Sequence, residues 1–307
     1  MNQKRAKLII AMLLFTPFLG YSQISKKKWK AFRIEYTVGL GASNFLGELG
    51  GANQIGTHAF RDLELSQTRW AAAVGFRYKL TQTFGLHTKF TYARLTGDDR
   101  LTTEFFRNYR NLSFRTSIYE LSENLEISFL KDQVGHRYRL RGVRGIRNVE
   151  ISAYGFLGVG VFYFNPKGKL GDQWVALQPL GTEGQGNPNY PSRKKYKRIQ
   201  ACVPIGLGIK YSLNRNWSLG LEFGLRYTFT DYIDDVSKTY ADLSDSDDPR
   251  APLLADKSQT EIYGNNYSYI TEPGQQRGDP RYNDAYMFAV FTLNYKLKTG
   301  RVNYPMF

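Results

Sequence analysis

The feature that most restricts the fold is a two-residue alternation that holds without a break along long runs. From Trp217 to Thr230 the odd positions are Trp217, Leu219, Leu221, Phe223, Leu225, Tyr227 and Phe229, and the even ones are Ser218, Gly220, Glu222, Gly224, Arg226, Thr228 and Thr230. A period of two belongs to an extended strand, whose successive side chains point to opposite faces. Ile199 to Leu213 repeats the pattern, with Ile199, Ala201, Val203, Ile205, Leu207, Ile209, Tyr211 and Leu213 on one face. Only Asn214, Arg215 and Asn216 separate the two runs, and three polar residues between long strands make a tight hairpin.

An apolar face this uniform needs an apolar solvent along its whole length. A strand that crosses a bilayer meets lipid on one face and the barrel interior on the other, and needs about ten residues to do so. Trp70, Ala72, Val74, Phe76, Tyr78 and Leu80 mark another such strand, and Phe84, Leu86, Thr88, Phe90 and Tyr92 follow after a turn at Thr81 to Thr83. Weaker alternation marks Phe32 to Leu46, Leu112 to Phe129, Val149 to Phe164 and Asp284 to Leu297, which brings the strands to eight. Glu123 interrupts the outward row Tyr119, Leu121, Leu125, Ile127 and predicts a bulge or a change of register there. Connections 47–66, 96–111, 165–197 and 231–281 are long, whereas 81–83 and 214–216 are short and 130–147 is oversized for a turn. The pattern predicts an all-β fold, an eight-stranded antiparallel transmembrane β-barrel with short periplasmic turns and long extracellular loops.

The N-terminus agrees with export. Lys4, Arg5 and Lys7 precede an apolar run from Leu8 to Leu19 and the small residues Gly20 and Ser22, so residues 1–22 read as a cleavable signal peptide and 23–307 as the barrel domain. The apolar run is shorter than the roughly 20 residues of a spanning helix, and nothing after it approaches that length. The single cysteine, Cys202, lies far from the cleavage site and can neither be lipidated there nor form a disulfide within the chain. The formal charge of +15 would suit nucleic acid, but an exported chain does not meet it, and the charge is expected to serve lipid head groups or acidic protein partners. The expected location is the cell outer membrane, as an integral protein.

An eight-stranded barrel is just wide enough for its inward side chains to fill. Glu35, Glu120, Glu126 and Glu222 are expected to face Arg77, Lys89, Lys210 and Arg226 in a lumen charge network, since buried charges persist when paired. That argues against a diffusion pore. The three histidines, His58, His87 and His136, sit in no nucleophile motif, so no catalytic residue, cofactor or metal site is assigned and no small-molecule substrate is expected. The loop acids Asp231, Asp234 and Asp235, and Asp242, Asp245, Asp247 and Asp248, match no EF-hand; they read as solvated charge, with bound calcium the alternative.

Several runs resemble a known family. Asn111-Leu-Ser-Phe-Arg-Thr-Ser-Ile-Tyr-Glu-Leu-Ser122, Pro179-Leu-Gly-Thr-Glu-Gly-Gln-Gly186, Thr230-Asp-Tyr-Ile-Asp-Asp-Val-Ser237 and the Asn-Phe-Leu-Gly-Glu-Leu-Gly-Gly stretch within Gly41 to Gly51 look like the PorG family (DUF6089) of outer-membrane barrels from Bacteroidota. The resemblance implies a component of the type IX secretion system that ties periplasmic ring proteins (PorK/PorN-like) and the trans-envelope core to the outer membrane. Some parts of that machine also serve gliding motility. If the barrel starts on the periplasmic face, Lys26, Lys27, Lys28 and Lys30 and the connection with Lys131, Arg137, Arg139, Arg141, Arg144 and Arg147 form one basic surface. Of these, Arg137, Arg139, Arg141 and Arg144 are the candidates for partner contact, because arginine binds carboxylates through two parallel hydrogen bonds. The reading from a different class is an autonomous small barrel, adhesin-like or lipid-modifying, that acts through its extracellular loops.

Overall fold

The computed structural model describes residues 28–49, 65–130 and 151–299. After a 3-10 turn at Lys28–Phe32 come β1 (Ile34–Leu46), β2 (Arg69–Lys79), β3 (Phe84–Asp98), β4 (Ser113–Leu130), β5 (Ile151–Tyr163), β6 (Lys167–Leu170), β7 (Gln173–Ala176), β8 (Ile199–Ser212), β9 (Trp217–Thr228) and β10 (Ala285–Leu297). All but β6 and β7 pair antiparallel in a ring that closes through β1 with β10 and through β3 with β4. The chain is therefore a closed eight-stranded antiparallel barrel, as the alternation predicts. β6 and β7 form a hairpin attached to β4 at Phe114 and Arg115. The signal-peptide region and the basic connection from Lys131 to Arg147 lie outside the described residues.

Short turns form where side chains replace backbone partners. Thr81 Oγ1 accepts from the amides of Thr83 and Phe84 at 3.1 and 2.8 Å, and Asn214 Oδ1 accepts from those of Asn216 and Trp217 at 2.9 and 2.8 Å. Both turns lie at one end, called the inner end here; connections 96–111, 165–197 and 231–281 lie at the other, the outer end. The β5–β8 ladder is interrupted opposite Pro204, which has no amide to give.

The outward face is apolar and solvent-accessible, as a lipid-facing wall must be; Leu40, Val159, Leu207 and Phe291 are examples. Near the outer end a row of aromatic rings crosses four adjacent strands: Trp70 to Tyr92 at 5.0 Å, Tyr92 to Tyr119 at 5.0 Å and Tyr119 to Tyr163 at 6.2 Å between centroids. Such a girdle marks the membrane interface. Beyond it the pattern inverts. Arg94, Thr96, Arg115 and Ser117 face outward, while Ala93, Leu95, Phe114 and Ile118 are buried inside. That inversion is why alternation alone ends the third strand at Tyr92, whereas β3 continues to Asp98.

Glu123 causes no bulge. The β3–β4 register is continuous through Thr88↔Glu123, and the Thr88 hydroxyl donates to Glu123 at 2.5 Å on the outward face. The irregularity of β4 falls instead between Ser128 and Leu130. A closed barrel has no edge strand to unzip. It should therefore run faster on a gel unboiled than boiled, and identical mobility in the two lanes would contradict the closed ring.

Candidate functional site

The structure brings all eight expected lumen charges into pairs. Glu35 and Arg77 stand opposite each other on β1 and β2 and form an ion pair, and Lys210 reaches the same carboxylate at 3.0 Å. Arg77 is the hub: its Nε lies 2.6 Å from Glu126 and its Nη2 3.1 Å from Glu222. Lys89 pairs with Glu222 at 2.7 Å and Arg226 with Glu120 at 3.2 Å. Burial makes each pair obligatory, since a lone charge here has no water to turn to.

Neutral groups that sequence reasoning did not place complete the layer. The Tyr154 hydroxyl donates to Glu222 at 2.6 Å, and the Tyr286 hydroxyl to Glu120 at 2.9 Å. His87 Nδ1 lies 3.0 Å from Glu126 and 3.2 Å from Arg77 Nη2, so it can donate to the first or accept from the second but not both. His87, Glu126 and Glu222 also have the mutual spacing of metal ligands, but the Arg77 guanidinium already occupies the cationic position among them.

Toward the outer end the lumen is apolar, filled by Phe45, Ala73, Leu95, Phe114, Phe162 and Phe288. The signal was present in the sequence, where the outer ends of strands carry apolar residues on the inward positions. With charges paired below and rings packed above, the described side chains fill the lumen, and it is expected to be closed to ions. Planar-bilayer recordings should show no large, stable open state, and a steady ohmic conductance would overturn this.

Connections 96–111, 165–197 and 231–281 are not free loops; they fold together as a cap over the barrel mouth. Asp99 accepts from Arg110 at 2.8 and 3.1 Å. The helix Phe105–Arg110 begins where the Glu104 side chain accepts from the amides of Phe106 and Arg107, and it ends at Asn111 in the left-handed region (φ 55°). Within Pro179 to Gly186, Gly181, Gly184 and Gly186 adopt φ of 63°, 80° and 81°, which side chains with a Cβ resist. This coil delivers Glu183 to the amides of Ser237 and Lys238 and to Arg277 at 3.1 Å. Thr182 and Tyr196 donate to Asp235, while Arg277 donates to its carbonyl at 2.6 Å.

The expectation for Asp231, Asp234 and Asp235 is corrected here. They are buried in the cap rather than solvated, because the surrounding segments fold over them; Asp242, Asp245 and Asp247 do remain exposed. Burial pushes the Asp231 carboxyl up to about 9, with Asp234 beside it adding to the rise. Burial likewise raises Glu48 to about 7 and Asp235 to about 6, although Arg110 and Arg277 respectively pull them down. Free carboxyls titrate near 4, so folding favours the protonated forms. Their contribution is complete below about pH 4 and is lost as pH rises through about 7 for Glu48 and about 9 for Asp231. In chelated buffer, the protection factors of amides 233–237 should fall between about pH 5 and pH 9 relative to those of the lumen strands. A constant ratio would refute the assignment.

Arg137, Arg139, Arg141 and Arg144 lie outside the described residues. What the structure adds is that the four family-like runs meet in space. Leu49, Leu112, Phe114, Ile233 and Val236 share one buried cluster, and Glu183 joins the fourth run to Ser237.

No curated protein matches the chain in sequence. Among solved structures, Ail, the attachment invasion locus protein of Yersinia pestis, aligns at 10% identity over 86% of this chain and 98% of that one, with a TM-score of 0.33. Neisserial surface protein A aligns at 8% identity over 86% and 96%, with a TM-score of 0.37. The N-terminal β-barrel domain of OprF from Pseudomonas aeruginosa aligns at 9% identity over 86% and 97%, with a TM-score of 0.32. Residues 186–245, which run from the glycine coil of the cap through β8 and β9 to the acidic loop, match the family described as Domain of unknown function (DUF6089).

Proposed function

We propose that this chain is a non-enzymatic structural barrel of the outer membrane that anchors the type IX protein secretion machinery, tying periplasmic ring and trans-envelope core proteins to the membrane. One observation carries the reading: the runs that resemble the PorG family converge on the cap, and one of them, Thr230 to Ser237, lies wholly within the matched segment, while the lumen below is filled by paired charges. A filled barrel offers neither a conduit nor a substrate cavity, so its work is done by its surfaces. The basic residues Arg137, Arg139, Arg141 and Arg144 are the proposed docking points for acidic ring proteins, together with Lys30, which precedes β1.

The test replaces those four arginines by serine in the native host. The barrel should insert at normal level while co-purification of ring proteins and secretion of type IX cargo both fall. Normal secretion and co-purification would leave the arginines with lipid phosphate and remove the support for anchoring.

The autonomous-barrel reading keeps one specific observation in its favour. Phe106, Ile262 and Tyr269 are exposed on the cap beside a ring cluster of Phe105, Tyr109, Tyr263 and Tyr267. Exposed aromatic surface of this kind serves contacts in other proteins. Loss of cell attachment without loss of secretion, on replacing Phe106 and Ile262 by serine, would favour that reading.

A further inference from the structure

The cap holds more buried acid than its cations neutralise. Asp99 is matched by Arg110, Glu183 by Arg277, and Asp235 by the hydroxyls of Thr182 and Tyr196. Four carboxylates remain: Glu48, Asp231, Asp234 and Asp284. Among the described residues none of them forms an ion pair with a lysine or arginine. Arg110, the nearest candidate, is spent on Asp99 and on the carbonyls of Arg277 and Glu48.

Backbone contacts bring the four together from three stretches of chain. Asp284 Oδ1 lies against Gly47, Glu48 follows, and the amide of Leu49 donates to Asp234 Oδ2 at 3.2 Å. Asp284 Oδ2 accepts from the amide of Ile233 at 2.8 Å, and the Asp284 amide donates to the carbonyl of Thr230 at 2.9 Å, which sets Asp231 beside it. Asp231 is only 6% exposed and its carboxylate oxygens make no hydrogen bond within 3.5 Å, the Ser237 side chain being the one polar neighbour near enough to favour the carboxylate. Glu48 Oε2 is likewise buried without a donor, its other oxygen taking the amide of Asp279. The oxygens left without a donor, both of Asp231 and Oε2 of Glu48, come from separate segments, and with Asp234 and Asp284, which accept backbone amides, they form an all-oxygen set that no lysine or arginine neutralises.

We propose that Glu48, Asp231, Asp234 and Asp284 bind a calcium ion that ties the end of β1 to the segment between β9 and β10. The donors are all hard oxygens, with no nitrogen or sulfur among them, and the whole Asp231 carboxylate is open to bind through both oxygens. Calcium takes six to eight such oxygens at about 2.3–2.6 Å in flexible geometry, whereas magnesium demands a small regular octahedron that four carboxylates from separate segments do not build. Asp235, part of the acidic run in sequence, is outside the set because Thr182 and Tyr196 already satisfy it. The only described trio of donor atoms already at ligand spacing is the lumen one, so the cap carboxylates are more open than a closed site. The ion then draws the two segments together, and the outer end of the barrel is stiffened by calcium outside the cell.

The full-length barrel, refolded in detergent and stripped with chelator, tests this at about pH 8, where free carboxyls are ionised. Calcium chloride should raise the thermal midpoint saturably, with half-effect at about 10⁻⁴–10⁻³ M, the range of extracellular calcium modules. Asp231→Asn should abolish the response and, by removing a buried carboxyl that the chelated fold must keep protonated, leave the chelated protein at least as stable as the parent. The exposed pair Asp242→Asn and Asp245→Asn should respond as the parent does. Should Asp231→Asn fail to fold, terbium on the parent decides: luminescence sensitised by neighbouring tyrosines and displaced by calcium is expected. No calcium response, an equal response to magnesium, an unchanged response in Asp231→Asn, or terbium that calcium does not displace would each overturn the site.

Discussion

Replacing Arg77 by alanine is expected to give the largest loss of stability of any single lumen change, about 3–5 kcal/mol or more. The side chain is 1% exposed and holds Glu35, Glu126 and Glu222 at once, so its removal takes a cation from three buried carboxylates in a space with little water. Lys210 and Lys89 remain for Glu35 and Glu222, but among the described side chains Glu126 keeps only the His87 ring and pairs with no lysine or other arginine. Adding Glu126→Gln to Arg77→Ala should therefore recover part of the loss, a coupling that only a double-mutant cycle reveals. Arg226→Ala should cost less, since it frees one carboxylate, Glu120, which still accepts from Tyr286. Urea unfolding in lipid vesicles measures the parent, Arg77→Ala, Glu126→Gln, the double variant and Arg226→Ala. An Arg77→Ala loss below about 1 kcal/mol would mean the network is not held by charge pairing.

Leu221→Arg is expected to cost about 2–4 kcal/mol, because it puts a cation on the lipid face near mid-strand. Leu221 stands between Ile209 on β8 and Phe291 on β10, both exposed outward, so no polar neighbour can shelter the guanidinium. Ser218, on the opposite face of the same strand, is fully buried and its hydroxyl has no partner. A larger polar residue there would collide with the lumen packing, so the fitting control is Ser218→Ala, which removes an unsatisfied group and should cost little. Equal losses at the two sites, measured by the same unfolding assay, would show that the inward and outward faces of β9 are exchanged.

The acidic cap shows where reading a sequence for function stops. Asp231 and Asp234 look in the sequence like solvated loop charge, and Glu48 and Asp284 belong to other segments far away along the chain. Nothing in residue type or spacing joins them; only the folding of the cap over the barrel mouth does. Glu123 shows the converse error. A carboxylate in an outward row looks like a break in the strand, yet Thr88 on the neighbouring strand satisfies one oxygen and the register runs through it.

Strand number, the boundaries of seven strands to within two residues, both tight turns and the lipid face are written in the sequence itself. They are local consequences of one physical fact, that each strand meets two different solvents, so its side chains must alternate. Pairing inside the lumen depends instead on the stagger of the strands around the ring, which sets Arg77 against acids from β1, β4 and β9. The cap depends on irregular backbone whose hydrogen bonds go to side chains from distant segments rather than to a repeating ladder. Periodicity carries information only about neighbours along the chain, so the choice of partners across the lumen and within the cap belongs to the tertiary structure alone.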